Sequence, residues 1–382
     1  MRKRKFSEEG IFLILDTIAN FNQPRSLMPL NITQHAHLLK GKKVTIGFDG
    51  FIDSIVRVVT NRTAEKAEYF KTIREFGHYT LEKSGDNFSL ELQKVVKKAG
   101  GNMPVMARAM AGWDVDINCI GTLGLPDIDA LFREFPDNCK LFSFADPGVT
   151  TALEFNDGKI IMGEMSSLNS ADWEVVSRVL GKQTLRDLFS GSSLIGIVNW
   201  SELLHATSIW KGLLEEVIPF ISLDGKPVAF FDLADFSKRN KADLLAALDT
   251  LKQFKQYFRV VLGLNRNETR LLHEVLTGTS AGNQLTETGR KIYLDLQPEI
   301  LLIHHKTMAL AWHQEQVHIE ECEVIEDPVI STGAGDNFNA GFAIAMMMNL
   351  DIAECLKLAH QFASHYMRTG SSLTVAEAPR TT

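Results

Sequence analysis

The chain has 382 residues, of which 45% are hydrophobic and 23% are charged, and its formal net charge is −7. Such a composition is ordinary for a globular protein, and the length allows one large α/β domain or two smaller ones. The acidic balance argues against nucleic acid as the main partner, because binding to nucleic acid usually needs a surplus of positive charge.

Residues 1–40 predict a helical extension in front of the main domain. The chain opens with a basic run, but its apolar stretch IFLIL is too short for a signal peptide and follows two glutamates, so an amphipathic helix fits better. No apolar run approaches the ~20 residues that would cross a membrane. The four cysteines show neither CxxC nor zinc-ligand spacing, which indicates reduced thiols. These features predict a cytoplasmic protein without membrane contact.

In residues 41–382, short β-branched runs alternate with helical stretches. The first strand is predicted in KKVTIGFDGFID, and later strands in VDINCIGTLG, LIGIVNW, PVAFFDLA, FRVVLGLN and EILLIHH. GNMPVMARAMAG predicts a helix, with Asn102 near its cap and Gly112 beyond its end. This alternation predicts an α/β fold with a mainly parallel central sheet and helices on both faces. Ligands of such sheets bind at the carboxyl ends of the strands.

Two segments interrupt the alternation. Within residues 148–166, TTALEFNDGKIIMGE alternates like a β-hairpin around Asn156, Asp157 and Gly158. Within residues 54–98, AEKAEYFKTIREF has helical spacing and FSLELQKVV is more strand-like. We expect the two segments to form a small β lid beside the main sheet.

The stretch STGAGDNFNAGF places Gly333 and Gly335 around Ala334, and Asp336 directly after them, at the start of an apolar helix. A helix start has unpaired amides and a partial positive charge, so a glycine loop there predicts an anion site. A carboxylate beside such a site suits proton abstraction from a hydroxyl that attacks a phosphate. Simple helix capping also explains Asp336, although it leaves the glycines unexplained. The helix start should lower the pKa of Asp336.

From about Lys42 to Ser372, the chain resembles the ribokinase-like (PfkB) carbohydrate kinases, with motifs in matching order. STGAGDNFNAGF is similar to the C-terminal signature of that family. The resemblance implies that Asp336 is the catalytic base and that the loop from Gly333 to Gly335 is the anion hole.

Two motifs resemble the sugar-binding end of these kinases. GGN, at Gly100, Gly101 and Asn102, is similar to the glycine pair that admits the sugar. DGFID, with Asp49 and Asp53, is similar to the substrate-binding end of the first strand. Taken alone, GGN could be a plain helix opening and the two aspartates could be turn residues. The interpretation therefore depends on the order in which the motifs occur.

Further motifs resemble the part of these kinases that binds magnesium and phosphate. Asn265 and Glu268 match the family pattern NxxE, so the resemblance implies that they hold Mg²⁺, mainly through water. Alternatively, Asn267 caps the following helix and Asn265 is a turn residue. FFDLADFSKR is similar to the segment FDPNxR of the family, with Asp232 in the aspartate position.

The expected nucleotide site combines Asn265 with Lys306, which follows the last predicted strand, and with the signature loop. In that loop, Thr332, Gly333 and Gly335 would contact the phosphates. Where relatives often have a TLG-type turn, this chain has IHHKTMALAW, and its two histidines are expected to be strand-end residues rather than metal ligands.

Two further positions depart from the family pattern. Val105 stands where relatives commonly have a second sugar-contacting asparagine, so the substrate could be atypical. Ile330 stands where many relatives have an aspartate that helps to hold a monovalent cation, so the sequence gives no support for potassium activation.

The resemblance implies an enzyme that phosphorylates a hydroxyl of a sugar or sugar-like small molecule, with ATP and Mg²⁺ as cofactors. Two alternatives stay open: a nucleoside kinase of the same fold, and a catalytically weak relative that binds a sugar or nucleotide and regulates another process. Because lids of this family often pair, a homodimer through the lid is also expected by analogy.

Overall fold

A nine-stranded sheet organises residues 32–378, which are the part of the chain that this computed structural model describes. The predicted helix within residues 1–31 therefore lies outside the described residues. The strands, in chain order, are β1 (Lys43–Gly47), β2 (Phe51–Arg62), β3 (Ala67–Tyr69), β4 (Leu92–Gly100), β5 (Asp116–Gly121), β6 (Cys139–Ser143), β7 (Gly148–Phe155), β8 (Gly158–Glu164), β9 (Ser192–Val198), β10 (Val228–Asp232), β11 (Arg259–Asn265), β12 (Ile300–His304), β13 (Met308–His313) and β14 (Gln316–Glu321).

The helices connect these strands on both faces of the sheet. They are α1 (Ile32–His35), α2 (Ile73–Glu82), α3 (Asn102–Ala111), α4 (Ser166–Asn169), α5 (Trp173–Leu180), α6 (Lys182–Phe189), α7 (Ala206–Gly212), α8 (Lys241–Phe254), α9 (Arg266–Thr277), α10 (Leu285–Leu296), α11 (Ala334–Met347) and α12 (Ile352–Thr369). Within residues 32–378, every helix is too short or too polar to cross a membrane.

The main sheet has the strand order β14, β13, β12, β11, β10, β9, β1, β5, β6. The strands from β12 to β6 in this order pair in parallel, and β13 and β14 add an antiparallel edge. Successive residues of β9 enter different apolar clusters, Leu194 on the face of α3, α11 and α12, and Ile195 on the opposite face. A strand that is buried on both faces explains the continuous apolar runs in the sequence. The predicted mainly parallel sheet with helices on both faces is confirmed.

A second sheet, here called the small sheet, contains β3, β2, β7 and β8 in that order, with β4 paired to β2. The chain passes from the main sheet into the small sheet where β2 follows β1 and where β7 follows β6, and β4 leads back into α3. The small sheet therefore lies at the carboxyl edge of the main sheet. The predicted hairpin at residues 148–166 is confirmed as β7 and β8, which pair antiparallel around Asn156 and Asp157.

The helical prediction for AEKAEYFKTIREF is wrong in its first part. Ala67–Tyr69 form β3 and pair with β2, and α2 begins only at Ile73. The boundary is set by Thr72, whose side chain accepts a hydrogen bond from the Glu75 amide in a capping box. Helical spacing is thus real, but it applies only after residue 72.

Helix α2 covers one face of the small sheet through aromatic contacts. Phe76 lies 5.5 Å from Phe70 and 5.5 Å from Phe155, measured between ring centroids. Tyr79 extends the cluster to Phe70 and Phe88. Burial of these rings holds α2 against the sheet, because a helix of this length is only marginally stable alone.

We predict that Phe76→Ala loosens α2 without affecting the main sheet. Loss of a half-buried ring should remove about 1–2 kcal/mol of local stability, so the α2 amides should exchange with solvent roughly tenfold faster. Hydrogen-exchange mass spectrometry would measure this, with Leu81→Ala as the control, since Leu81 is on the same helix and 74% exposed. Equal exchange in both variants would contradict the packing argument.

Candidate active site

Asp49 fixes the start of α3 relative to the end of β1. Its carboxylate is fully buried and accepts hydrogen bonds from the Asn102 amide (2.8 Å), the Met103 amide (2.8 Å) and the Asn199 side chain (2.7 Å). Burial raises the pKa of Asp49 to about 6, although these hydrogen bonds favour the charged form. Because both oxygens are engaged within the protein, Asp49 primarily positions the glycine pair in front of α3.

The glycine pair leaves room for the two aspartates of DGFID. A Cβ atom on Gly100 would clash with the Asp53 carboxylate, and one on Gly101 would lie 2.6 Å from Asp49 Oδ2. Gly101 also has a φ of 101°, which side chains rarely tolerate. Asp53 Oδ1 accepts a hydrogen bond from the Thr150 hydroxyl at 2.6 Å. The structure therefore brings all five predicted sugar-side residues together.

The signature loop is held in place by neighbouring helices. Gly333 has a φ of 96°, and a Cβ atom there would lie 3.0 Å from the Tyr366 hydroxyl and 3.3 Å from Val105. The Tyr366 hydroxyl donates to the Thr332 carbonyl at 3.2 Å, and the Asn337 side chain donates to the Gly333 carbonyl at 2.9 Å. Val105 of α3 thus packs on the loop.

Of the four amides from Gly333 to Asp336, only one donates a hydrogen bond within the described residues. The Ala334 amide donates to the Ser331 carbonyl at 3.1 Å. The amides of Gly333, Gly335 and Asp336 find no acceptor among residues 32–378. Unpaired amides at the start of a long helix can bind the oxygens of a phosphoryl group. The geometry thus fits an anion hole, with the Ala334 amide occupied by the loop itself.

Asp336 sits in a strongly negative environment. Asp336 is only half-buried as a residue, but protein surrounds its carboxyl group, and this burial raises its pKa well above the ordinary range. The negative charges of Asp232, Asp49 and Glu268 add to the shift, and the nearby side chain of Asn102 opposes it. The expectation of a lowered pKa is therefore wrong, because burial and neighbouring carboxylates outweigh the helix start.

Asn265 and Glu268 form a capping box at the start of α9. The Asn265 amide donates to Glu268 Oε2 (2.8 Å), its side chain donates to Oε1 (2.6 Å), and the Glu268 amide donates back to Asn265 Oδ1 (2.9 Å). The alternative that Asn267 is the cap is wrong. Burial, reinforced by the charge of Asp232, raises the pKa of Glu268 to about 8.

Asp232, at the end of β10, is held by a residue of α11. Its Oδ2 accepts from the Asn339 side chain at 2.6 Å, and its Oδ1 accepts from the Ala234 amide at 2.8 Å. Burial raises the pKa of Asp232 to about 6. Asn339 was not singled out from the sequence, although it is a polar residue one helical turn after Asp336 in an apolar stretch.

The surplus of negative charge fits a bound divalent cation. The charge of Asp232 raises the pKa of Glu268, and the charges of Asp232 and Glu268 raise the pKa of Asp336. Such carboxylates are stabilised in charged form by a nearby cation. Among the described residues, no three His, Cys, Asp or Glu side chains cluster closely enough to hold a metal by themselves. A divalent cation at this position would therefore need oxygen ligands from water or a bound phosphate in addition to these carboxylates.

The turn between β12 and β13 borders the loop from the other side. His304 ends β12, as predicted, and its ring lies 3.3 Å from where a Cβ atom on Gly335 would be. Burial, helped by the charge of His360, lowers the pKa of His304 to about 4, so the ring is neutral. Lys306 is exposed on the turn, and Thr332 is exposed on the loop.

Comparison with known proteins decides the family. The family model described as prokaryotic ketohexokinase matches residues 31–381. The chain belongs to the prokaryotic ketohexokinase family. A ketohexokinase of Haloferax volcanii is 30% identical over 349 residues, which cover 88% of this chain and 90% of that relative. The predicted resemblance to ribokinase-like carbohydrate kinases is confirmed, and the protein is an ATP-dependent sugar kinase with an alcohol group as acceptor.

Solved structures of other kinases share the fold. Ribokinase of Thermotoga maritima has a TM-score of 0.58 and 16% identity, over 89% of this chain and 96% of its own. Adenosine kinase of Sinorhizobium meliloti has a TM-score of 0.60 and 15% identity, over 88% of this chain and 98% of its own. The predicted ribokinase-like fold is confirmed. At these identities the likeness says nothing about the substrate.

We predict that Asp49→Asn destabilises the kinase by about 2–3 kcal/mol. The new amide group would face donors that now bind a carboxylate, and a buried donor without an acceptor is costly. Urea unfolding at neutral pH would measure the change. Asp86→Asn, in an exposed loop, is the control and should change stability by less than about 0.5 kcal/mol. Equal effects would contradict the positioning role of Asp49.

The charge cluster predicts the pH dependence of turnover. The resemblance implies that Asp336 is the catalytic base, and a base must be deprotonated. On that hypothesis kcat/KM should fall as the pH drops through the raised pKa of Asp336. We expect the acidic limb well above the ordinary aspartate value of 3.8. Asp232→Asn removes a neighbouring negative charge, so the limb should move to lower pH. If the acidic limb of the kcat/KM profile stays at the same pH in Asp232→Asn, the charge of Asp232 does not influence the pKa of Asp336.

Proposed function

We propose that this kinase transfers the γ-phosphoryl group of ATP to a hydroxyl of a ketohexose, with Asp336 as the base. One observation carries the proposal: Asp336 lies between the unpaired amides of the signature loop and Asn102 of the glycine pair. A hydroxyl bound at the glycine pair would then meet both a proton acceptor and an anion hole. The name of the Haloferax volcanii relative, ketohexokinase, supports a ketohexose as the sugar.

On the sugar side, Asp53 accepts hydrogen bonds from substrate hydroxyls, while Gly100 and Gly101 leave room for the ring. The hydrogen bond from the Asn102 amide to Asp49 holds the glycine pair at the start of α3. Asp336 accepts the proton of the attacking hydroxyl, and its raised pKa makes it a stronger base than an exposed aspartate.

On the phosphate side, the amides of Gly333 and Gly335 stabilise charge on the transferring phosphoryl group, with Thr332 and Ala334 shaping the loop. Asn265 and Lys306 contact the nucleotide in this proposal. Bound Mg²⁺ would neutralise the phosphate oxygens, and it would be held near Glu268 and Asn265, mainly through water.

The rival functions predict different substrates. A nucleoside kinase shares the fold, as the adenosine kinase of Sinorhizobium meliloti shows, but family membership favours a sugar. A purely regulatory relative needs no base, whereas this chain keeps Asp336 with its glycine loop.

The small sheet serves as the lid in this proposal, and it also supports the expected homodimer. Strand β8 is at the edge of the small sheet, and its residues Ile161 and Met162 are 62% and 50% exposed. An open strand edge with exposed apolar residues favours pairing with a second edge.

We predict that Asp336→Asn lowers kcat by ~10²–10⁴ and leaves the fold intact, because the variant keeps the shape but loses the base. The assay measures ADP and sugar phosphate from ATP and Mg²⁺ with fructose, ribose and adenosine. Wild-type protein should turn over fructose fastest. Wild-type turnover in the variant would remove Asp336 from the chemistry, and a preference for adenosine would favour the nucleoside kinase.

A further inference from the structure

We infer that Lys98 is a specificity-determining residue that donates hydrogen bonds to oxygens of a neutral sugar beside Asp53. This inference rests on the proposed function, because it takes the substrate to be a ketohexose. Lys98 was not singled out from the sequence, in which it is one of several lysines in a charged segment.

The sheet register places Lys98 beside Asp53. In the antiparallel pair of β2 and β4, Asp53 lies directly opposite Lys98. Residues in directly opposite positions project to the same face, with Cβ atoms about 5 Å apart. Thr150 of β7 is also in register with Asp53 and its hydroxyl donates to the Asp53 carboxylate, so Thr150, Asp53 and Lys98 share one face of the small sheet.

The preceding residue, Lys97, projects to the opposite face, because side chains alternate along a strand. Lys97 lies opposite Ser54, which in turn lies opposite Thr151 of β7. Two residues further along β7, Leu153 packs in the apolar cluster against which α2 lies. The two adjacent lysines therefore face different sides of the small sheet, one toward the site and one toward the α2 side.

Lys98 is half-buried, whereas Lys97 is exposed. No hydrogen bond or ion pair within 4.0 Å joins the Lys98 ammonium to any residue in the described range 32–378. Burial lowers its pKa and the charge of Asp53 raises it, while Lys159 and Arg108 add further positive charge nearby. A partly buried cation without hydrogen-bond partners is unfavourable, and oxygens of a bound ligand would relieve this.

A sugar offers what this arrangement lacks. Asp53, when ionised, only accepts hydrogen bonds, and an ammonium only donates them. A hydroxyl both donates and accepts hydrogen bonds. Asp53 can therefore accept from one sugar hydroxyl while Lys98 donates to a second hydroxyl or to the ring oxygen. Val105 stands where the resembled kinases commonly have a sugar-contacting asparagine, which leaves more of the recognition to this pair.

The test compares Lys98→Met with Lys97→Met, two changes of identical chemistry on opposite faces of one strand. We expect Lys98→Met to raise the KM for fructose tenfold or more, because hydrogen bonds to charged groups are worth that much, with kcat and the KM for ATP nearly unchanged. Lys98→Arg should recover part of the loss. Lys97→Met should behave like wild type, and all variants should melt within a few degrees of it.

Equal KM values for fructose in both methionine variants would overturn the inference. The same would follow if Lys98→Met weakened only fructose 6-phosphate, since the site would then recognise a phosphate rather than a neutral sugar. Calorimetric titration with fructose in the absence of ATP measures sugar affinity without turnover, so it tests the inference about Lys98 separately from the proposed function. Failure of the proposed function appears as sugar binding without turnover by wild type, whereas failure of the inference appears as unchanged fructose affinity in Lys98→Met.

Discussion

The site depends on one buried carboxylate. Asp49, just beyond the end of β1, binds the first amides of α3 and the side chain of Asn199, which follows β9. These contacts tie two neighbouring strands and a helix together at the carboxyl edge of the main sheet. Gly101 can approach Asp49 only because it lacks a side chain. Because α3 also packs on the signature loop through Val105, the same carboxylate helps to fix the glycine pair relative to the signature loop.

Negative charge accumulates around this framework. Asp49, Asp232, Glu268 and Asp336 come from different parts of the chain, and each has a raised pKa, chiefly because of burial. Such an arrangement is unfavourable without a cation, and it keeps Asp336 basic enough to accept a proton. Lys98 lies opposite Asp53 in the small sheet, and the charge of Asp53 favours its ammonium form. Positive charge is therefore present on the small sheet, whereas these four carboxylates come from the main sheet and its helices.

Local sequence signals predicted the sheet and named most of the residues that the structure brings together at its carboxyl edge, because strand ends and glycine loops have short-range signatures. Features that depend on distant residues were missed. The raised pKa of Asp336 comes from carboxylates of other elements, and the roles of Asn199 and Asn339 appear only when their aspartate partners are in place. Residues 67–69 have helical spacing, yet pairing with β2 makes them a strand, because tertiary pairing overrides a weak local preference.

The central claim is that Asp336 receives the proton of a ketohexose hydroxyl in front of the signature loop. A crystal structure with fructose, Mg²⁺ and a non-hydrolysable ATP analogue tests this most directly. The account predicts one sugar hydroxyl within hydrogen-bond distance of the Asp336 carboxylate and in line with the γ-phosphorus atom, with the γ-phosphate oxygens on the Gly333 and Gly335 amides. A sugar whose hydroxyls all lie beyond the reach of Asp336, or a γ-phosphate away from these amides, would contradict it.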